Sequence, residues 1–391
     1  MKKTAFKHRC IWSYFSVFFF LILFVFLFNQ TRVLQAETGL PADATIEKVS
    51  DLGTIETAPI IWGRDGGYSA LSQNRSIWIF GDTIVSQSDH SAPTLLSNSC
   101  SWTTDRNAGD RITGFRPCHD SPGIPLELFP FTPEEHAFNR DHQAENCPIE
   151  PCGARWALWP GAVISDDVAN RLLLFFKKVL VKPGVLNFQT AGHGMAVWRR
   201  FDEPPERIRY DQEEKWPELM FGENEPAFGS AAIVMHSVVY VFGCNLEGDS
   251  KPCRLARVPL AQVTDRAAWE FYSTSQKWQK EIDGSTVVLN GNDMMSVSYN
   301  IYLKRYLAVY SQPMSTDVML CTAKNLEGPW SKPLKAFDAR PPANAIGWIY
   351  DAMEHPEYAQ EDGRIIYITY SRQTGPLTFE MRLVAVTLRK S

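Results

Sequence analysis

Five short apolar segments along the chain share one pattern. Each is a run of apolar and β-branched residues that ends in an aromatic residue and then a small or polar one, which is typical of a β-strand. The segments are Ser76–Asp82, Leu172–Lys178, Val238–Cys244, Tyr306–Gln312 and Ile365–Ser371. Their central residues are Ile79, Leu174, Val241, Ala308 and Ile368, with the widest interval between the first two. The pattern therefore predicts five copies of one strand in a repeat of long period.

A second short strand and a polar turn precede each segment, and in several repeats another strand follows, as in Gly194–Arg199 and Met381–Leu388. No long amphipathic helical pattern interrupts this order. A hairpin with one or two outer strands, repeated at such long intervals, is typical of a propeller blade. The prediction is an all-β, five-bladed β-propeller. A β-sandwich is the alternative, but its strands would follow at even spacings of about 8–12 residues without a long period.

Residues 1–36 have the composition of an export signal. Four basic residues precede an uncharged apolar run, Ile11–Phe28, and Ala36 offers a cleavage position. The run is long for a signal peptide and short for a membrane span, so residues 1–36 are interpreted as a signal peptide or a membrane anchor. We expect the chain to be secreted, periplasmic or anchored at the outer face of the membrane, and to contact the membrane only through this segment. Residues 37–391 are predicted to form a single domain.

The longest gap between repeats, at about residues 88–155, holds four of the eight cysteines and has little periodicity. It is predicted to be a disulfide-rich inserted loop rather than a separate domain. Export permits disulfides. Pairing of nearest neighbours predicts Cys100–Cys118, Cys147–Cys152 and Cys244–Cys253, with Cys321 left over.

The charge of the chain limits its partners. The formal net charge is −5, from 39 basic and 44 acidic residues. Residues 1–36 contain five basic residues and no acidic ones, so the remainder has 34 basic against 44 acidic residues and a net charge of −10. This charge argues against nucleic acid or an anionic membrane as the partner, whereas a neutral polysaccharide or other glycan is compatible with it.

Candidate chemistry follows from the predicted propeller. The innermost strand of each blade lines the axis, so residues at the starts of these strands converge on one funnel. Asp65 lies 14 positions before the strand centre Ile79. The same offset from the other four strand centres gives Pro160, Ala227, Met294 and Glu354. A slip of up to two positions adds Glu225, Asp293 and His355, and nearby aromatic residues that suit a sugar face are Tyr68, Trp159 and Tyr350.

Carboxyl groups gathered in such a funnel favour glycoside hydrolysis. That reaction uses one carboxyl group as an acid and another as a base or nucleophile, and grouped carboxylates raise one another's pKa. Each acid also has a structural interpretation. Asp65 would cap a turn at the paired glycines that follow it, Glu225 and Asp293 would be solvated loop residues, and Asp82, at a strand end, is interpreted as a turn residue.

His355 is a candidate for supporting a structural Ca²⁺ ion at the axis, directly or through water. Calcium prefers oxygen ligands, so a single histidine would act as an outer support. The alternative is a histidine that is hydrogen-bonded inside the hub of the propeller.

Two motifs around the first segment, Gly63–Ser69 (GRDGGYS) and Ile77–Thr83 (IWIFGDT), resemble the opening of the domain of unknown function family 4185, DUF4185. Pro226–Ala232 and the stretch from His355 to Tyr370 are also similar to it, and the resemblance spans about residues 50–388. The family in turn resembles the five-bladed propeller glycoside hydrolases of family 43, and its relatives include the D-arabinan hydrolases of family 183. The resemblance implies a furanose- or pyranose-containing glycan as the substrate.

By analogy with family 43, the resemblance implies that Asp65 is the general base, that Glu225 is the general acid and that His355 supports an axial metal ion. The usual aspartate of blade 2 is absent, because Trp159-Pro160-Gly161 occupies its place. Glu354 is therefore a further candidate for a catalytic role.

The sequence favours an exported glycoside hydrolase that cleaves a polysaccharide, with an arabinan-type furanoside as one candidate substrate. The alternative is a non-catalytic carbohydrate-binding or cell-surface interaction propeller, in which the acids would be isolated and solvated. A third hypothesis is a lyase or other hydrolase that uses a bound cation.

Overall fold

The structure, a computed structural model, describes residues 40–86, 94–118, 120–121, 124–143, 147, 149–184, 186–210, 215–343, 347–375 and 378–391. Residues 1–36, the predicted leader, lie outside these ranges. Residues Pro41–Ser391 form one compact unit, which contains the fold. No helix within the described ranges is long and apolar enough to cross a membrane.

Five antiparallel sheets form the five blades of a β-propeller, as predicted. The first strand of the fold is β1 (Ala44–Thr54). Blade 1 contains β2 (Ile61–Ser72), β3 (Arg75–Val85), β4 (Thr94–Leu96), β5 (Ser99–Thr103) and β6 (Arg116–Pro117), and a small sheet follows with β7 (Asp120–Ser121) and β8 (Ile124–Pro125). After the α-helix Pro133–Gln143, blade 2 contains β9 (Arg155–Asp166), β10 (Arg171–Val181), β11 (Phe188–Trp198), β12 (Glu206–Arg207) and β13 (Leu219–Gly222).

Blade 3 contains β14 (Phe228–Met235), β15 (Val238–Cys244), β16 (Pro252–Pro259), β17 (Glu270–Tyr272), β18 (Trp278–Gln279) and β19 (Val287–Asn290). Blade 4 contains β20 (Met295–Asn300), β21 (Arg305–Ser311), β22 (Asp317–Ala323) and β23 (Leu334–Asp338). Blade 5 contains β24 (Tyr350–Glu354), β25 (Ile365–Gly375), β26 (Thr378–Lys390) and β1. Four 3₁₀ turns lie at Leu260–Gln262, Arg266–Ala268, Pro356–Tyr358 and Glu361–Gly363.

The second strand of every blade is buried on both faces, which explains the apolar segments of the sequence. In β3, Ile77 and Ile79 pack in a cluster shared with blade 2, whereas Trp78 and Phe80 pack in a cluster shared with blade 5. Alternate side chains of a strand point to opposite faces of the sheet. A strand between two neighbouring blades must therefore be apolar on both faces, and its sequence becomes a continuous apolar run.

Strand β1 closes the ring as the outer strand of blade 5. It pairs with β26 in antiparallel register, from Ala44 opposite Lys390 to Thr54 opposite Arg382. The final blade is thus built from both ends of the domain, and the sequence pattern did not indicate this closure.

The three predicted disulfides are confirmed at Cys100–Cys118, Cys147–Cys152 and Cys244–Cys253. Cys321 is buried, and its Sγ atom lies 3.7 Å from the hydroxyl of Tyr310. The region predicted as an insertion at about 88–155 supplies β4, β5 and β6 to blade 1 and also contains the helix Pro133–Gln143.

Candidate active site

Four aspartates from three blades come together where the inner strands begin. Asp65 lies on β2, Asp82 lies at the far end of β3, Asp293 precedes β20 and Asp351 lies on β24. We call these four residues the acid cluster. The charge of Asp82 and of Asp351 acts on Asp65, and the charge of Asp293 acts on Asp351, so the four carboxyl groups share one electrostatic environment.

Irregular backbone in β2 places Asp65. The register between β2 and β3 shifts on both sides of Gly66, and Gly66 and Gly67 both have positive φ, at 76° and 102°. Asp65 Oδ2 accepts a hydrogen bond of 3.1 Å from the hydroxyl of Tyr350. On its other side, Asp65 Oδ1 lies so close to Gly81 that a Cβ atom at Gly81 would be only 2.5 Å away. Burial and the negative charges of Asp82 and Asp351 raise the pKa of Asp65 well above its usual range.

Asp351 occupies a bulge of β24, between Tyr350 and Met353, and has a φ of 56°. This left-handed conformation is uncommon for residues other than glycine and is enriched at functional sites. Its Oδ2 atom accepts a hydrogen bond of 3.2 Å from the backbone N–H of Gly66. Burial and the charge of Asp293 raise the pKa of Asp351 to about 7.

Asp82 is held by two groups from blade 2. Arg155 Nη2 lies 3.3 Å from both carboxylate oxygens, and the indole N–H of Trp159 donates a hydrogen bond of 3.0 Å to Oδ1. Burial raises the pKa of Asp82, while Arg155 and Trp159 act in the opposite direction. Within the acid cluster, Asp82 is therefore paired with a guanidinium group, whereas Asp65 has no cation among its hydrogen-bonding partners in the described part of the chain.

Asp293 is paired with two lysines. Lys177 Nζ lies 3.3 Å from Oδ2, and Lys251 donates to Oδ1 and also donates a 2.7 Å hydrogen bond to Asn292. Burial alone would raise the pKa of Asp293, but the two ammonium groups lower it well below its usual range. Asp293 is thus an anion, in contrast to its neighbour Asp351.

Two tyrosines complete the site. Tyr68 donates a 2.7 Å hydrogen bond to the backbone carbonyl of Ser230, and Tyr350 donates to Asp65. Burial raises the pKa of both hydroxyl groups well above the usual value, and nearby aspartates add to the effect. Both side chains therefore remain neutral hydrogen-bonding groups.

The structure brings five of the eight predicted site residues together: Asp65, Tyr68, Trp159, Asp293 and Tyr350. Glu225 makes its contacts elsewhere, because it accepts hydrogen bonds from Arg266 Nη2 at 2.6 Å and from the backbone N–H of Gly222 at 2.8 Å. No contact joins Glu225 to the acid cluster in the part of the chain that the structure describes.

Glu354 is buried between blades 4 and 5. The hydroxyl of Ser298 donates a 2.6 Å hydrogen bond to its Oε2 atom, and burial raises its pKa to about 7. Glu354 follows Asp351 by three positions on the same strand, which corresponds to a separation of roughly 10 Å along an extended chain. It belongs to a deeper layer of the propeller.

The surroundings of His355 do not suit a role as a direct ligand of a metal ion. Its ring is fully buried, Nδ1 shares a 2.7 Å hydrogen bond with Ser69, and Nε2 shares one of 2.6 Å with Thr369. Its ring also stacks on Trp78 at 4.2 Å between centroids. Within the described ranges, no group of three or more His, Cys, Asp or Glu side chains could hold a metal ion. We therefore assign no catalytic role to a calcium ion at His355.

Sequence reasoning missed Asp82, Asp351, Lys177 and Lys251. Asp351 lies three positions before Glu354, just outside the window of two, because the bulge of β24 inserts extra residues. Asp82 was interpreted as a turn residue, yet it lies within β3 and faces the site. The two lysines gave no signal in the sequence, since the packing of blades 2, 3 and 4 alone brings them to Asp293.

The sequence matches the domain of unknown function family DUF4185 over residues 56–382. No curated protein sequence matches the chain significantly. A solved structure of a candidate hydrolase from Bacteroides ovatus is similar, with a TM-score of 0.55 and 13% identity over 84% of this chain and 87% of its own.

Two further structures have lower TM-scores. A family 43 glycoside hydrolase from Xanthomonas citri has a TM-score of 0.46 and 11% identity, covering 84% of this chain and 90% of its own. An α-L-arabinofuranosidase from Podospora anserina, solved with cellotriose, has a TM-score of 0.43 and 11% identity, covering 89% and 98%. At such identities a likeness shows the fold alone. Because the family match covers most of its length, the chain belongs to the DUF4185 family.

Proposed function

We propose that this chain is an exported glycoside hydrolase whose acid cluster cleaves a glycosidic bond in a polysaccharide. The observation that carries the proposal is that carboxyl groups of the acid cluster differ in their charged partners. Burial raises the pKa values of Asp65, Asp351 and Asp82, but among the described residues only Asp82 and Asp293 of the acid cluster are paired with cations. Environments that push pKa values apart supply one protonated acid and one ionised base or nucleophile, which is what this reaction requires.

Asp65 and Asp82 are proposed as the reacting pair. Two neighbouring buried carboxyl groups do not both ionise readily, so they tend to share one proton. Arg155 and Trp159 favour the ionised form of Asp82, and the proton then resides on Asp65. In this assignment Asp65 protonates the glycosidic oxygen and Asp82 acts as the base or nucleophile. Asp65 is thus the acid in this assignment, whereas the analogy with family 43 makes it the base.

Aromatic side chains support a sugar substrate. Trp159 lies beside Asp82, and Trp62, three positions before Asp65, is 46% exposed. Such faces suit the apolar face of a sugar ring. An arabinan-type furanoside is one candidate substrate because the motifs around Asp65 and Asp82 resemble DUF4185, whose relatives include D-arabinan hydrolases.

The experiment is product release by the full chain from arabinans, arabinogalactans, xylans and acidic polysaccharides. Loss of a general acid or base costs about 10²- to 10⁴-fold in rate, so we expect this loss in Asp65→Asn and in Asp82→Asn. Glu225→Gln separates our assignment from the one implied by family 43, since it should retain most of the activity if Glu225 is not the acid. Glu47→Gln, at an exposed residue that pairs with Arg364, is the control variant and should retain wild-type activity.

Full activity of Asp65→Asn or Asp82→Asn would contradict the assignment of that residue. Binding of a glycan by the wild type with no release from any polysaccharide would contradict hydrolysis and favour the carbohydrate-binding propeller.

A further inference from the structure

A second polar group lies beside the acid cluster on blades 2 and 3. Lys177 on β10 stands directly opposite Trp159 on β9 and His193 on β11. Directly opposite residues of antiparallel strands project to the same face. Lys251, which precedes β16, reaches the same place and contacts Asp293. We call Lys177, His193 and Lys251 the lysine subsite.

The lysine subsite places two ammonium groups on one paired carboxylate. Among the described residues, Lys177 and Lys251 both pair with Asp293, whereas Asp82 pairs with Arg155; the two lysine charges also act on Asp351. An ammonium group has three donors. Lys177 donates one hydrogen bond, to Asp293, and Lys251 donates two, to Asp293 and Asn292, among the described residues. Three donors therefore remain for a ligand, and both lysines are accessible, with side-chain exposures of 19% and 20%.

His193 supplies an independent indication of a ligand. It is 8% exposed, and its Nδ1 atom is buried with no hydrogen-bonding partner in the part of the chain that the structure describes. A buried polar atom without a partner is costly, and each such atom calls for an explanation, such as an ordered water, an ion or a ligand. His193 lies directly opposite Lys177 on the neighbouring strand, and the charges of Lys177 and Asp293 act on its ring.

We propose that the lysine subsite binds an anionic substituent of the glycan, so that the substrate is an acidic polysaccharide. This inference rests on the proposed function and names its substrate class. A carboxylate or a sulfate ester accepts charge-assisted hydrogen bonds from the ammonium groups. Trp159 packs its ring against Lys177, at 5.4 Å from Nζ to the centroid, and reaches Asp82 with its N–H. The same side chain thus connects the anion site to the reacting pair.

The test compares matched glycans that differ only in charge. Binding of the full chain is measured with polygalacturonate, alginate and carrageenan, and with their carboxyl-reduced or desulfated forms. We expect at least one anionic glycan to bind about tenfold or more tightly than its neutral form, the size expected of a charge-assisted hydrogen bond. The preference should weaken at high salt because the subsite is accessible. Carboxylated and sulfated arms distinguish the two anion chemistries.

Substitutions of Lys177 test whether this residue causes the preference for anionic glycans. Lys177→Gln should abolish the preference for the anionic form, and Lys177→Arg, which keeps a cationic donor at this position, should retain it. Lys251 still neutralises Asp293 in both variants, which protects folding, and thermal unfolding checks this. Lys335→Gln, at an exposed lysine on blade 4, is the matched control.

Equal binding of every anionic glycan and its neutral form would overturn the inference, and so would a preference that survives in Lys177→Gln. Failure here is separable from failure of the proposed function because binding requires no turnover. Hydrolysis of neutral glycans without an anionic preference rejects the subsite alone. Anionic binding without hydrolysis rejects catalysis alone.

Discussion

The acid cluster and the buried residues around His355 are both rich in ionisable groups, but they have different partners. Around His355, hydroxyl groups meet the ionisable atoms: Ser69 and Thr369 contact the ring, Ser76 contacts Glu357 and Ser298 contacts Glu354. We call Glu354, His355 and Glu357 with these hydroxyls the hub network. In the acid cluster, the carboxyl groups instead act on one another through their charges, and Asp82 and Asp293 contact the side chains of Arg155, Lys177 and Lys251.

This difference shows that a shifted pKa does not by itself mark a catalytic group. Glu354 and Asp351 both have a pKa raised to about 7. A hydroxyl satisfies a neutral carboxyl group without adding charge, so Glu354 is stable where it is, at 5% exposure. Asp351 instead has a left-handed backbone and a charged neighbour, Asp293, and such backbone is enriched at functional sites.

The largest expected effect tests whether the hub network is structural. In His355→Ala, the hydroxyls of Ser69 and Thr369 lose their partner and Trp78 loses a stacked ring. We expect the free energy of unfolding to fall by about 4 kcal/mol, from two lost hydrogen bonds and a cavity. Chemical denaturation measures it. The exposed helix residue His136, changed to alanine, should leave stability within about 0.5 kcal/mol.

Addition of Ca²⁺ sharpens this prediction. A metal role for His355 would make the stability of the wild type, but not of His355→Ala, depend on calcium, and such a result would contradict a purely structural hub network.

The fold could be predicted from the sequence because each repeat contains a strand that is buried on both faces. Ile77 and Trp78 pack into different blade interfaces. Because both faces of the strand are buried, its sequence is a continuous apolar run, and this run is visible without knowledge of the rest of the chain. Spacing from the strand centres, with a slip of up to two positions, also identified Asp65 and Asp293 as candidates.

The rest of the site could not be predicted because it depends on irregular backbone and on distant partners. The bulge in β24 moved Asp351 out of the expected register. Glu354 met the spacing rule, but its partner Ser298 lies 56 residues earlier in the chain. Glu225 likewise met it, but its partner Arg266 lies 41 residues later. Nothing near these glutamates in the sequence indicates that their carboxyl groups already have hydrogen-bonding partners.

The pH dependence of stability gives the next largest effect. The pKa of Glu354 is raised in the folded protein from 4.5 to about 7, so the folded state binds the proton more tightly than the unfolded chain does. The contribution of Glu354 to stability is therefore full below about pH 4.5 and is lost as the pH rises through about 7. The shift corresponds to roughly 3 kcal/mol. In Glu354→Gln, which cannot ionise but can still accept from Ser298, we expect the fall between these pH values to be smaller by about that amount.

Denaturation at several pH values on either side of this window measures the difference between wild type and variant. Glu47→Gln, at an exposed residue, should reproduce the wild-type slope. An unchanged slope in Glu354→Gln would mean that Glu354 is ionised in the folded state, and the contrast with Asp351 would then fail.

The smallest effect concerns how finely the acid cluster is positioned. In Gly81→Ala, the new Cβ atom would lie 2.5 Å from Asp65 Oδ1, and the carboxyl group, at the end of a rotatable side chain, must move. The backbone at Gly81 does not have a positive φ, so alanine is tolerated there. We expect hydrolysis to fall by about tenfold through misplacement of Asp65, with unfolding changed by less than about 1 kcal/mol. Gly222→Ala is the matched control, because its Cβ would have no neighbour closer than 3.9 Å. Undiminished hydrolysis in Gly81→Ala would mean that the position of Asp65 against β3 does not limit the reaction, and the proposed pairing of Asp65 with Asp82 would lose its geometric basis.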